Sequence, residues 1–332
     1  MTTHAPVADR LLGPHEPPRI ELVRSPTPLH PAPRLSAELG VPVLFKRDDL
    51  TGLGLGGNKV RGLEYLIADA LRQGCDCLVT GAGPQSNWTL LAALTALRYG
   101  IEPHVVCYGN PPPDEGNLRL HRWLGVDVRF TGAADRSTVD DGIAALAAEL
   151  RATGRRPYVL PRGGATALGS LGYVRATIEL AAQLDESGTE PAAVWLPTGS
   201  CGTHAGLLAG VAFAAAAFDV IGVTVSRPVA ECRTRITTLA AAAAALVHGP
   251  EPAEPRVLGG CLGPGYGIPS PEGAAAALLV ARAEGVFLDP VFGAKAMAGL
   301  VAECAAGRVT GPQVFLVTGG APTLFTDRKG AS

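Results

Sequence analysis

The 332-residue chain reads as an α/β protein of two open, twisted, parallel-rich sheets flanked by helices, with its active site in the cleft between two domains. Three observations predict this. Short apolar runs alternate with stretches of helical spacing, and strands separated by helices pair in parallel through crossovers. Runs such as Val314-Phe315-Leu316-Val317 are apolar on both faces, as strands covered by helices on both sides must be. The length exceeds the ~100–200 residues of one domain. With 47% hydrophobic and 17% charged residues it can fill two cores, and 42 glycines with 28 prolines exclude a coiled coil.

The first ~35 residues are proline-rich and read as an extended arm. Val41–Phe45 is the first predicted strand, followed by a glycine-rich loop from Thr51 to Asn58. Val60, Leu63, Leu66, Ile67, Ala70 and Leu71 then recur at helical spacing, with Gly74 at the stop. Strands follow at Cys77–Thr80, His104–Tyr108, Val126–Phe130 and Tyr158–Leu160. Between them lie helices at Ser86–Arg98, Asn117–Trp123 and Asp140–Thr153. After a long helix, Leu168–Leu184, a second series begins: strands Ala193–Leu196, Val220–Val225 and Val314–Val317, and helices Ala205–Phe218, Val229–Val247, Pro271–Glu284 and Gly293–Ala306. No repeat of fixed period is present.

A net charge of −2, with lysines and arginines scattered, gives no bulk attraction to nucleic acid or to an anionic membrane. Seven cysteines, odd in number and irregular in spacing, do not form a disulfide framework. Cys75 and Cys77 lack the second Cys/His pair of a zinc site, so no metal is expected. Asp9, Arg10 and His15 interrupt the N-terminus before any apolar run, which excludes a signal peptide, and Leu239–Val247 is too short to span a bilayer. A cytoplasmic protein is expected.

The loop Gly52-Leu53-Gly54-Leu55-Gly56-Gly57-Asn58-Lys59 admits several readings. It fails as a nucleotide P-loop, because Asn58 separates the last glycine from Lys59 and Val60 stands where Ser or Thr would bind magnesium. Gly52, Gly54 and Gly57 match G-x-G-x-x-G, yet Arg47-Asp48-Asp49-Leu50 intervenes after the strand and no acidic ribose ligand ends the next one. The third reading has the glycines turn the chain tightly and present Lys59 into a cleft, the pattern of a lysine that forms a Schiff base. A solvated lysine opening a helix is the plain alternative.

Thr198-Gly199-Ser200-Cys201-Gly202-Thr203 follows an apolar strand and opens a helix. Such a loop aims amides and the positive helix end at an anion such as a phosphate monoester, with Ser200 and Thr203 hydroxyls adding donors. An ordinary turn capped by Thr203 is the alternative. Gly83-Pro84-Gln85-Ser86-Asn87-Trp88 lies between another strand and helix, where it holds a carboxylate or, through Ser86, merely caps the helix. Thr318-Gly319-Gly320, Tyr266 in its glycine loop, and Asp289–Lys295 are further candidates.

Together these residues resemble the D-cysteine desulfhydrase and 1-aminocyclopropane-1-carboxylate deaminase family, of the tryptophan-synthase-β-like fold type. The shared order runs through Lys46-Arg47-Asp48-Asp49, Gly56-Gly57-Asn58-Lys59, Leu63-Glu64-Tyr65, Gln85-Ser86-Asn87, Gly163-Gly164 and Ala167-Leu168-Gly169. It continues with the Thr198–Gly206 loop, Asp289-Pro290-Val291 and Thr318-Gly319-Gly320.

The resemblance implies a pyridoxal 5'-phosphate enzyme with a large cofactor domain (1–62 and 166–332), a small domain (63–165), and a homodimer. It implies Lys59 as cofactor anchor and proton acceptor, and Asn87 on the ring hydroxyl. Thr198 and the Gly199, Ser200, Cys201, Gly202 and Thr203 loop lie at the phosphate, and Thr318 near the pyridine nitrogen. Ser86 and Tyr266 act on the substrate, with Trp88 and Phe292 beside it. Where the family usually carries Tyr, Glu or Thr, and a polar residue, this chain has Phe292, Gly293 and Trp88; a phenyl ring cannot relay a proton. The implied chemistry is β-elimination from a small amino acid, in which freed Lys59 removes the α-proton, a β-substituent leaves, and a 2-oxo acid and ammonia result. Cyclopropane ring opening, a biosynthetic replacement or isomerisation, and amino-acid binding without turnover are the alternatives.

Overall fold

The computed structural model describes residues 11–326. The part of the predicted arm before Leu11 lies outside them. The six-stranded sheet contains β1 (Leu29–Pro31), β2 (Val43–Arg47), β7 (Ala193–Thr198), β8 (Asp219–Thr224), β9 (Arg256–Leu258) and β10 (Gln313–Val317), in the order β1-β2-β10-β7-β8-β9. The four-stranded sheet contains β3 (Cys77–Ala82), β4 (Glu102–Cys107), β5 (Asp127–Phe130) and β6 (Pro157–Val159), ordered β5-β4-β3-β6. Every pairing is parallel except β1 with β2.

Hydrophobicity follows position in the sheet. The inner strands β3, β7 and β10 are buried at every residue, as strands sandwiched between helical layers are. The edge strands β1, β5, β6 and β9 are only partly covered. Pro31 and Pro157, which cannot donate to a ladder, stand on edge strands. The last strand in sequence, β10, is an inner one, between β2 and β7.

The helices are α1 (Pro33–Leu39), α2 (Lys59–Arg72), α3 (Asn87–Arg98), α4 (Gly116–Trp123), α5 (Thr138–Ala152), α6 (Ala167–Glu186), α7 (Gly202–Ala214), α8 (Val229–Leu246), α9 (Pro271–Glu284) and α10 (Gly293–Ala305). Of the apolar stripe predicted for α2, Val60, Leu63, Leu66, Ile67 and Ala70 are closed to solvent, while Leu71, in the last turn, is exposed. The proline-rich arm is more ordered than its composition suggests. Leu29–Pro31 pairs with β2, and Pro33 starts α1 in the first turn, where its missing N–H costs nothing. No helix among the described residues is long and apolar enough to cross a membrane.

A buried ionic knot ties β2, α2 and α6 beneath the glycine-rich loop. Asp48, fully buried, accepts from Arg61 Nε at 2.7 Å, Arg61 Nη2 at 2.8 Å and Thr27 Oγ1 at 2.8 Å, and also from the Tyr173 hydroxyl. Glu179 accepts from Lys46 Nζ at 2.5 Å and Arg61 Nη2 at 2.9 Å. Burial alone would raise both carboxyl pKa values, but the Arg61 guanidinium holds them below the ordinary range.

Candidate active site

In parallel sheets ligands gather beyond the carboxyl ends of the strands, and the loops there converge on one cavity. The loops after β3, β7 and β10 supply Ser86, Ser200 and Thr318, and the start of α2 supplies Lys59. The cavity holds about 1010 Å³ of atom-free space, its open mouth included.

Backbone proximity requires the glycine next to the cavity-lining Asn58. At Gly57 φ is +138°, and a Cβ would sit 2.4 Å from Asn87 Nδ2 and 3.3 Å from the Thr318 carbonyl. Asn58 N–H donates to that carbonyl at 3.0 Å, and Asn58 Nδ2 donates to Thr203 Oγ1 at 2.9 Å. Asn58 therefore fastens the lysine-bearing turn both to the residue after the last strand and to the turn before α7.

Lys59 is the first residue of α2, and its side chain turns into the cavity, with Nζ donating to Ser200 Oγ at 3.3 Å. Burial lowers its pKa from the ordinary 10.5 to about 8, with Cys201 opposing slightly. The positive end of α2 disfavours the cation further. A partly neutral amine thus faces the cavity, and the solvated-lysine reading does not describe this geometry.

The turn before α7 is tightly built. Cys201, not Thr203, is its N-cap, in the left-handed region at φ +77° and with no side-chain cap bond. Thr203 Oγ1 accepts from Asn58, which leaves its hydrogen available to an anion. Below it, Thr198 Oγ1 meets His204 Nδ1 at 3.1 Å, and burial lowers the His204 pKa to about 3, so the imidazole is neutral. A smaller recess of about 330 Å³ adjoins this turn, lined by Asn58, Lys59, Ser200, Gly202 and Thr203 among others.

Ser86 is the N-cap of α3, is buried, and makes no cap bond through its side chain, so its hydroxyl faces the cavity unspent on the helix. Asn87 follows it on the cavity wall. Trp88 also lines the cavity. Its ring packs on Gly164, its Nε1 donates to Thr80 Oγ1 at 2.9 Å, and it is 3% exposed, so it is largely core. Tyr266 and Phe292 meet edge to face at 6.1 Å, and Phe292 in turn lies against Gly199. Burial raises the Tyr266 pKa to about 12, which keeps the phenol protonated. Asp289 binds the amides of Val291, Phe292 and Gly293 at 2.7–3.0 Å and so caps α10. Three arginines, Arg136, Arg162 and Arg227, also line the cavity. No motif marks them in the sequence.

A family model described as pyridoxal-phosphate dependent enzyme matches residues 20–319. The chain belongs to that family. This pyridoxal-phosphate dependent enzyme is 40% identical to the D-cysteine desulfhydrase of Salmonella paratyphi B over 318 residues, 93% of this chain and 95% of that one. It is 41% identical over the same shares to the D-cysteine desulfhydrase of Klebsiella pneumoniae. Among solved structures, an ACC deaminase homologue superposes with a TM-score of 0.89 at 36% identity, covering 93% of this chain and 94% of its own. An L-serine ammonia-lyase from Rhizomucor miehei, at 21% identity and TM-score 0.63, shares the fold over 90% of this chain and 94% of that one. The donors present suit pyridoxal phosphate: a depressed-pKa amine for an aldehyde, and amides and hydroxyls at a helix N-terminus for a phosphate, opening on one cavity.

Proposed function

We propose that the enzyme eliminates a β-substituent from a small amino acid of the D-cysteine type, releasing a 2-oxo acid and ammonia. The observation that carries this reading is the amine of Lys59, with its pKa lowered to about 8, in the same cavity as the helix N-terminus at Ser200–Thr203. Identity of 40% to D-cysteine desulfhydrases supports the substrate class.

Lys59 would anchor the cofactor, and Thr198 with the Gly199, Ser200, Cys201, Gly202 and Thr203 turn would seat its phosphate. Asn87 would hold its ring hydroxyl and Thr318 its ring nitrogen, both residues lining the cavity. Pyridoxal phosphate supplies an electron sink for the pair left on the α-carbon when its proton departs. The substrate carboxylate sits at the N-terminus of α3, on the Ser86 hydroxyl and neighbouring amides. Lys59 Nζ would take the α-proton, for which a pKa near the working pH suits it. Tyr266, protonated, gives a hydrogen bond to the leaving thiolate. Phe292 and Trp88 form apolar wall and keep water out.

Ring opening of 1-aminocyclopropane-1-carboxylate is the second reading, favoured by the ACC deaminase homologue. Phe292 weighs against it, because a phenyl ring at that position beside Tyr266 cannot relay a proton. Steady-state assays with D-cysteine, β-chloro-D-alanine and the cyclopropane acid decide the matter. Oxo acid from the first two is expected, and product from the last alone overturns the proposal. We further propose a cytoplasmic homodimer, divided into residues 1–62 with 166–332 and residues 63–165. Seven unpaired cysteines suit a reducing compartment, and light scattering tests the dimer.

A further inference from the structure

The charged side chains lining the cavity are four cations, Lys59, Arg136, Arg162 and Arg227, and one carboxylate, Asp289. Asp289 is occupied by the amides of Val291, Phe292 and Gly293 at the start of α10. Lys59 belongs to the cofactor in the reading above, and the substrate carboxylate has a seat at α3. An uncharged thiol side chain gives the three arginines nothing to do.

Their outer faces differ. Arg162 pairs with Asp140 at 3.0 Å, and Arg227 pairs with Glu231. Arg136 forms no ion pair among the described residues; its guanidinium donates to the Ser226 carbonyl at 3.3 Å and lies 4.6 Å over the Tyr266 ring. A guanidinium stacked on an aromatic face is held in place while its in-plane donors stay available, the arrangement suited to planar oxyanions. Tyr266 in turn abuts Phe292, which lies against Gly199. Arg136 therefore stands on the wall that continues to the anion loop. It does not line the smaller recess at Ser200–Thr203, and its stack on Tyr266 sets it beside a residue assigned above to the substrate.

We propose that Arg136 reads an anionic β-substituent of the substrate, so that this enzyme prefers small amino acids whose β-leaving group is itself charged, such as a sulfonate departing as sulfite with the C–S electron pair; aspartate mimics such a substrate in shape and charge without a group that can leave. This rests on the proposed function and narrows its substrate class. Arg162 and Arg227, each part-neutralised, add to the positive field, and Arg136 supplies the direct contact.

The test uses purified holoenzyme and isothermal titration calorimetry with D- and L-aspartate against D- and L-asparagine, which match in shape and differ in charge, together with D- and L-3-sulfoalanine. Wild type is expected to bind the acid or sulfonate of one chirality about tenfold or more tighter than the amide, the scale of a charge-assisted hydrogen bond. Arg136→Gln brings that ratio to about one, and Arg136→Lys keeps part of it. Equal affinity for acid and amide in cofactor-loaded wild type overturns the inference and leaves the proposed chemistry standing. So does an equal loss of both in Arg136→Gln, which would make Arg136 a brace for Tyr266. A fall in cofactor content in Arg136→Gln, read from the visible absorbance, assigns the residue to the cofactor and likewise overturns it. Wild type that takes up no cofactor sinks the underlying function instead.

Discussion

Burial makes Lys59 unusually reactive, and the size of the effect is calculable. With a pKa of about 8, roughly a tenth of its amines are neutral at pH 7, against about three in ten thousand for a lysine at the ordinary 10.5. The gain is roughly 300-fold. In cofactor-stripped protein, a limiting acylating reagent should therefore modify Lys59 with a rate that is half-maximal near pH 8 and level above about pH 9. Peptide mass spectrometry resolves the site readily, because the chain has four lysines, and Lys46, 2% exposed and bound to Glu179, is shielded. The same burial penalises folding. Below about pH 8 the amine is protonated in both folded and unfolded chains, so the cost of a desolvated cation is complete. Between about 8 and 10.5 the folded chain releases its proton first, and the cost fades as pH rises. Lys59→Met should stabilise the cofactor-free protein by up to about 3 kcal/mol at pH 7 and by little above pH 10.5, as read by urea denaturation. An acylation rate still climbing through about pH 10, with no stabilisation in Lys59→Met, would refute the reasoning.

Other consequences follow from named contacts. Arg61→Met strips the buried Asp48 and Glu179 of their cation and should cost about 3–5 kcal/mol in urea unfolding. Since both carboxyls hold depressed pKa values, wild type should keep this stability above the ordinary carboxylate range and lose it as acid protonates them below 4.5. Gly57→Ala forces a Cβ to within 2.4 Å of Asn87 Nδ2 at φ +138°, and should cost about 1–3 kcal/mol and weaken cofactor retention, measured by dialysis and absorbance. Ser86→Ala removes no cap bond, so stability should change by less than about 0.5 kcal/mol while KM for the amino acid rises about tenfold. Phe292→Tyr places a hydroxyl beside Tyr266 and should raise the ratio of ring opening to elimination in paired assays.

Much of the fold is legible in the sequence because α2, α6 and the inner strands carry strong periodic or continuous apolar patterns. The elements missed are those too short to show a period. Helix α1 is two turns long, and its Pro33 and its left-handed Gly40 cap are signals that a proline-rich context obscures. Strand β9 has three residues on a sheet edge. The loops bearing Lys59, Ser86, Ser200 and Thr318 are visible as glycine-rich joins between strand and helix. Arg136 and Arg162 are not, since they follow β5 and β6 in polar connections and gain meaning only where the two sheets face each other. The ionic knot is equally hidden: Glu179 reaches Arg61 across 118 positions, a distance no local pattern spans.

Because β10 is inserted between β2 and β7 and is followed directly by Thr318, the ribosome must have made residues 313–318 before the cavity wall is complete. A nascent polypeptide stopped short of residue 313 lacks the strand that joins the two halves of its larger sheet. Vitamin capture at Thr318 thereby waits on a strand made long after Lys59.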